Sequence, residues 1–408
     1  MKNVKKNIGT PVLVLSAHTI ALGVVQSLGP KGIPLYLVSF DMKDMAYKSK
    51  YVRECFYLPH PERNSIDFVN GLIKIGEKIG KAVIFPADDH TLVLISKNLD
   101  VLKSGFILPT PDWSVIEKII NKDITYSIAE SLGIPIPKTL LLDNSSNMPS
   151  DHLRKFKFPC LIKPVQSHTY YEVFRKKMTV VNNFDELEVK FNECKKNNIS
   201  VTVQEIIVGD ICRGLNFNSL FFNGKIMQGF TAYKIRMTDD GYGIPVVVRG
   251  RKMIDELWEY SEKLLNKIGY EGYSCIEYKF DESDGRYKLL EVNGRYNRSS
   301  LLSVKSGINF PWIEYNYLIN NKDFEHKGYR KNIYYIDEFK DIQVNIKKLL
   351  KGKQNLFSFL KPYFTTHVFA IFSIKDTNPF FKHILDGLIM MFSANKSKFN
   401  NKNSNDRK

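Results

Sequence analysis

The chain has 408 residues, 43% of them hydrophobic and 25% charged. That balance excludes disordered and fibrous classes and predicts two or three packed modules. The formal charge of +16 is spread along the chain, densest in "NIKKLLKGK" and the tail "ANKSKFNNKNSNDRK", with no helix-turn-helix, zinc or RNA-binding signature beside it. No specific nucleic-acid partner is expected; attraction to anionic substrates or to an anionic membrane surface is the alternative to a plain solvated surface. Cys55, Cys160, Cys194, Cys212 and Cys275 are scattered, with no CxxC pair, which argues against a disulfide framework and a zinc site and for a reducing cytosol.

The N-terminal stretch reads as a basic start followed by a first strand, "PVLVLSA", and not as a signal peptide. Strands "PLYLVSF" and "AVIFPA" follow, alternating with helices at "TIALGVVQSLGPKG", "SIDFVNGLIKIGEKIG" and "TLVLISKNLD". This βαβ order predicts a parallel sheet with helices on its faces. Its first turn lacks GxGxxG, so no dinucleotide-binding domain is expected; a ligand crevice would lie past the strand ends, where Asp41, Asp88 and Asp89 fall. From Lys122, "NKDITYSIAESLGIPIP" predicts a helix ended by Gly133. Strands then dominate, from "FPCLIKPV" and "MTVVNN" through "SVTVQEIIVGD", "LNFNSLFFNGKIMQGFTAYKIR" and "GIPVVVRG", with helices at "FDELEVKFNECKK" and "IDELWEYSEKLLNKIG". Strands "YSCIEYKFD" and "RYKLLEVN" flank the turn "ESDG". Beyond about residue 325 the chain is aromatic, basic and predominantly helical in pattern; "HILDGLIMMFSA" is too short and interrupted to span a bilayer, and reads as a core helix or a helix at a membrane surface.

The last two strands carry the sharpest signal. A hairpin centred on Asp284 places Glu277 opposite Glu291, and alternation puts Asn293 on the face of Glu291. Facing carboxylates repel, so a cation is expected between them: Mg²⁺, which favours hard oxygen ligands and substrate phosphates, or lysine and arginine neighbours such as Lys279, Lys288 and Arg286 on a plain surface hairpin. Arg295 points toward the same region. Lys163 closes the apolar strand "FPCLIKP", where it either meets an anion or snorkels to the strand end, and Lys122 opens its helix, a position ambiguous by itself. Lys234, Arg236 and Arg249 flank a turn with Gly241 and Gly243, either a mobile loop presenting positive charge to a substrate carboxylate or a solvated hairpin.

The order of these motifs resembles the ATP-grasp superfamily, closest in texture to carbamoyl-phosphate-synthase-like and D-aspartate-ligase-like carboxylate–amine ligases of bacterial cell-envelope neighbourhoods. The resemblance implies an α/β and α+β architecture: a parallel-sheet pre-ATP-grasp domain at 1–115, a small subdomain at 116–205 and a large subdomain with metal strands at 206–325, which together enclose ATP. A helical extension at 326–394 and a basic tail at 395–408 complete the expected division. It implies Lys122 and Lys163 on the ATP phosphates, Glu205 on the adenine amino group, Ile207 offering backbone contacts and Asp210 on the ribose. Glu277, Glu291 and Asn293 would hold Mg²⁺ or Mn²⁺, with Arg295 and Lys163 as catalytic cations. The Gly-rich loop that many members carry after the Lys163 strand is replaced by "VQSHTYYEVFRKKMTVV", which leaves His168, Lys176 or Lys177 as phosphate contacts. The implied activity is ATP-dependent joining of a carboxylate to an amine through an acylphosphate; the alternative is a degenerate, non-catalytic ATP-binding protein. Small-molecule substrates and a cytoplasmic setting, with the inner face of the membrane as a second location, complete the expectation.

Overall fold

The computed structural model describes residues 9–41, 44–145, 148–164, 167–176, 178–210, 214–238, 243–322, 324, 326–352 and 354–389. Three sheets organise them. The first holds β1 (Val12–Leu15), β2 (Leu35–Ser39), β3 (Val52–Tyr57), β4 (Ala82–Pro86) and β5 (Phe106–Ile107), all parallel, in the order β3-β2-β1-β4-β5. Successive residues of β1 enter different cores, Val12 and Val14 one, Leu13 and Leu15 the other, as a parallel strand covered on both faces requires. β3, "VRECFY", was not expected: its polar alternation lacks the apolar run of its neighbours, and only its place at the sheet edge makes it a strand.

The second sheet contains β6 (Thr139–Leu142), β7 (Cys160–Pro164), β8 (Thr179–Val181) and β9 (Val201–Glu205), antiparallel and ordered β6-β9-β7-β8. Between β7 and β8 the chain forms a helix, Ser167–Phe174; Lys177 lies outside the described residues. The third and largest sheet runs β14-β13-β10-β11-β12-β15-β16, from β10 (Gly214–Phe222), β11 (Lys225–Met237), β12 (Pro245–Gly250), β13 (Gly272–Asp281), β14 (Arg286–Asn293), β15 (Tyr334–Ile336) and β16 (His367–Phe369). Helices Trp113–Ile120 and Lys122–Ser131 bury Ile116, Ile119 and Ala129 against one face of this sheet, with Leu257 and Leu264 of helix Asp255–Ile268.

Two features of the C-terminal extension were not anticipated. It is not simply helical, because "YYI" and "HVF" extend the large sheet by two parallel strands. Its far end is also tied to the first sheet's module: Asp376 accepts hydrogen bonds from Ser49 Oγ (2.6 Å) and the Lys50 N–H (2.9 Å).

Candidate active site

The hairpin has the expected register. β13 pairs β14 with Glu277 opposite Glu291, Ile276 opposite Val292 and Cys275 opposite Asn293, and a bulge follows at Tyr278, which pairs with Leu289. Both glutamates are compensated, but not by the hairpin's own cations. Lys288 bonds Asp281 at 2.5 Å, and Lys279 donates to the Ile207 carbonyl at 2.9 Å. The partners come instead from elsewhere in the fold: Lys234 of β11 pairs with Glu277, and Lys122, first residue of its helix, lies 3.3 Å from Glu291. Burial alone would raise the Glu291 carboxyl, but Lys122, the Asn293 amide and Lys234 outweigh it and hold it at about 2. Glu277 is pushed up, first by burial and then by the Glu291 charge, against the pull of Lys234. Two carboxylates whose affinities for a proton are driven apart within one cluster mark a built site more than a surface hairpin.

Lys163 stands at the edge of this cluster. Its ammonium donates to Gln204 Oε1 at 2.5 Å, while Gln204 Nε2 donates to Thr139 Oγ1 (3.0 Å) and Tyr126 Oη (3.3 Å), and Tyr126 donates to the Leu290 carbonyl (2.8 Å), next to Glu291. A continuous polar chain therefore runs from the Lys163 strand to the acid strand. Burial, then the charge of Lys122, lowers Lys163 to about 8, with Glu291 opposing. Gln204 and Tyr126 escaped the sequence reading because each sits in an ordinary amphipathic pattern.

A cleft of ≈490 Å³ is lined by Lys122, Tyr126, Lys163, Thr202 and Gln204. A second, of ≈790 Å³, is lined by Glu205, Ile207, Asp210, Lys234, Arg236, Lys279 and Asn345. The three residues expected around a nucleoside, Glu205, Ile207 and Asp210, thus share one cavity wall. Glu205 Oε1 already accepts the Lys157 N–H at 2.8 Å, which fixes the carboxylate at the rim.

Arg295 makes a bidentate pair with Asp89, Nε to Oδ1 at 2.8 Å and Nη2 to Oδ2 at 2.9 Å, and Nη2 reaches Asn293 Oδ1 at 3.3 Å. Asp89 begins the helix Asp89–Lys97 that follows β4, so this pair ties the carboxyl end of the first sheet to the loop after the acid strand. Other residues past the strand ends of the same sheet, or in the loop after β14, were not singled out in the sequence. His18 accepts the Ile20 N–H at 3.1 Å; burial first, then Arg298, Arg295 and Lys340, lowers its pKa to about 4 and keeps the imidazole neutral. Burial raises Asp44 to about 6, with Asp41 and Asp88 adding to the effect and a Ser39 hydrogen bond opposing it. Arg298 donates to Asp337 at 2.6 Å, yet its Nε is buried with no hydrogen-bond partner among the described residues. Ser16, fully buried at the end of β1, holds φ at 119°, a strained conformation of the kind that clusters at ligand sites.

The expected substrate cations are each already paired. Arg236 forms a bidentate pair with the buried Asp341 (2.8 and 2.6 Å), and Arg249 donates to Asn332 at 2.7 Å beside the Tyr334 ring. Lys234 belongs to Glu277. Lys234 and Arg236 both line the larger cleft, and Arg249 is not among its lining residues; the irregularity between Lys234 and Arg236 breaks the alternation that would give them one face, and they meet different partners. Gly241 and the side chain of His168 lie outside the described residues, and Lys176 is exposed.

This is the ATP-grasp fold. Residues 245–310 match the family model described as "Carbamoyl-phosphate synthase L chain, ATP binding domain". Over 275 residues the chain is 28% identical to D-aspartate ligase from Enterococcus faecium (strain Aus0004), a match that covers 64% of each protein, so the chain spans less than two thirds of that relative's length. Among solved structures, the ADP complex of purK, N5-carboxyaminoimidazole ribonucleotide synthetase, is similar with a TM-score of 0.63 at 12% identity, covering 85% of this chain and 88% of that one. L-amino acid ligase from Bacillus licheniformis has a TM-score of 0.59 at 17% identity, covering 78% and 75%.

Proposed function

We propose that the protein is an ATP- and Mg²⁺-dependent ligase that activates a carboxylate as an acylphosphate and joins it to an amine, with an amino acid as one substrate. The Glu277–Glu291 register carries this reading, because it gathers two partly buried carboxylates, an amide and three lysines close to two clefts. Glu277, Glu291 and the Asn293 oxygen form an all-oxygen donor set that fits Mg²⁺, which would neutralise phosphate charge there. Lys122 and Lys163 bind the nucleotide's phosphates, Glu205, Ile207 and Asp210 seat its base and ribose, and Arg295 with Lys163 steadies the phosphoryl group in transfer. Arg298, whose Nε is buried and unpartnered among the described residues, offers a positive charge suited to a substrate carboxylate. D-aspartate ligase and L-amino acid ligase, by name, act on amino acids.

The test supplies amino acids and small carboxylates in pairs and measures ADP release. We expect release with a particular pair, a loss on the order of 10²-fold or more in Arg295→Ala, and no Mg²⁺-dependent turnover in a folded Glu291→Ala. Stabilisation by ATP with no ADP from any pair, or full activity in Glu291→Ala, overturns the assignment.

We also propose that the C-terminal extension rests on an anionic membrane surface. No helix among the described residues is long and apolar enough to cross a membrane. Ile342, Ile346 and Leu350 nevertheless form an exposed stripe on helix Glu338–Leu350, and Phe381, Leu385, Leu388 and Ile389 form another on the helical segment 378–389. Phe339 packs on Phe380 (5.4 Å) and His383 (4.6 Å), which sets the two helices side by side. Residues 338–389 contain eight lysines and four acids; Glu338, Asp341 and Asp376 are buried and Asp386 pairs with Lys382, so the outward charge is positive, as surface-lying helices favour. The protein should co-sediment with vesicles containing anionic lipid, less at high salt, and Leu385→Asp should weaken this. Equal recovery with neutral vesicles, or none with either, refutes it.

A further inference from the structure

The first sheet's module carries a second group of donors that the nucleotide site does not use. His60, in the turn after β3, Glu62, and His90 of helix Asp89–Lys97 each offer one ligand atom, and these atoms all lie within 4.8 Å of one another. Glu62 Oε1 is 2.9 Å from His90 Nδ1, and the two imidazole rings meet edge to face with centroids 5.2 Å apart.

The positions are held by rigid local devices. The His60 carbonyl accepts from the N–H groups of Arg63 (2.9 Å) and Asn64 (3.1 Å), and Phe40 packs edge-on against its ring at 4.9 Å. Asp88 caps the helix that carries His90, accepting from the Thr91 N–H at 2.8 Å and from Thr91 Oγ1 at 2.9 Å. A surface ion pair between Glu62 and His90 would account for one of these contacts and would contribute little. His60 is itself held there by its Nδ1, which accepts the Glu62 N–H at 3.3 Å, and its ring adds a third donor beside that pair.

We propose that His60, Glu62 and His90 bind a Zn²⁺-class ion. Two nitrogens and one carboxylate oxygen are a borderline-soft set that favours Zn²⁺ and its transition-metal neighbours over Mg²⁺, so this site and the acid pair of β13 and β14 select different ions. Tetrahedral bonds of about 2.0–2.2 Å require donors roughly 3.4 Å apart, a contraction that side-chain rotation provides at a half-exposed site. Three protein ligands leave a fourth position for water or a small anion. The cysteines gave no sign of this site, because its donors come from two chain segments joined only by the fold. The bound ion ties the turn after β3 to the start of the helix whose Asp89 holds Arg295.

Metal-stripped full-length protein is titrated with Zn²⁺ by calorimetry in excess Mg²⁺. We expect one equivalent bound despite the Mg²⁺, with affinity reduced by more than about tenfold in His60→Ala and in His90→Ala, since loss of a direct ligand should exceed the loss of an outer-shell partner. Hydrogen exchange across residues 58–64 and 88–92 should slow on Zn²⁺ addition in the native protein and not in His60→Ala. Absence of Zn²⁺ binding, or an affinity unchanged in both histidine variants, overturns the proposal. Neither measurement involves ATP turnover, so the ligase assignment stands or falls separately.

Discussion

Lys163 is the residue whose protonation the fold controls most usefully. Burial, reinforced by Lys122, favours its neutral form and brings it to about 8, while Glu291 pulls the other way. An incoming polyphosphate favours the ammonium, so nucleotide binding should be accompanied by proton uptake when the pH is near 8. The free enzyme therefore loses its phosphate-binding charge as pH rises through 8, and kcat/KM for ATP should fall about tenfold per pH unit above that point. Lys163→Arg, whose guanidinium stays charged, should move the falling limb to higher pH. A profile unchanged in this variant would assign the limb to another group. Lys163 was legible as a charge at a strand end; its link to Gln204 was not, because a glutamine one strand away has no sequence pattern of its own.

At the scale of elements, the pairing of β13 and β14 was readable because a tight turn with alternating strands fixes the register. Its ion pairs were not, since Lys234 and Lys122 reach the acids from a non-adjacent strand and from a helix more than 150 residues upstream of Glu291. The extension shows the same limit. Asp341 is fully buried and accepts from Arg236, Asn345 Nδ2 (2.7 Å) and Tyr363 Oη (2.9 Å), while Arg236 also donates to the Ser358 and Phe359 carbonyls at 3.3 Å. This network clamps helices Glu338–Leu350 and Leu356–Leu360 to β11 beside the larger cleft. Removing one partner of a buried ion pair typically costs about 3–5 kcal/mol. Asp341→Ala should lower the melting temperature accordingly and expose 338–363 to limited proteolysis; a variant as stable and protease-resistant as the native chain would show that the clamp is dispensable.

Across the whole molecule, the three sheets follow the chain order that apolar runs and helical periodicity suggest, and the parallel first sheet is the clearest case. What the sequence leaves hidden are edges and seams. β3 and β15 are too short or too polar to announce themselves, and Arg298 reaches Thr19 Oγ1 only when the first sheet packs against the loop after β14. Ends of the chain far apart in sequence are joined there too: Tyr315 Oη donates to the Thr10 carbonyl at 2.9 Å, and Asp376 grips Ser49 and Lys50. The Asp376 knot can be drawn only after every group assigned to the nucleotide has been synthesised. A gene cut short just ahead of that codon would still encode all of those groups, yet its product would lack the fastening that closes the polypeptide on itself.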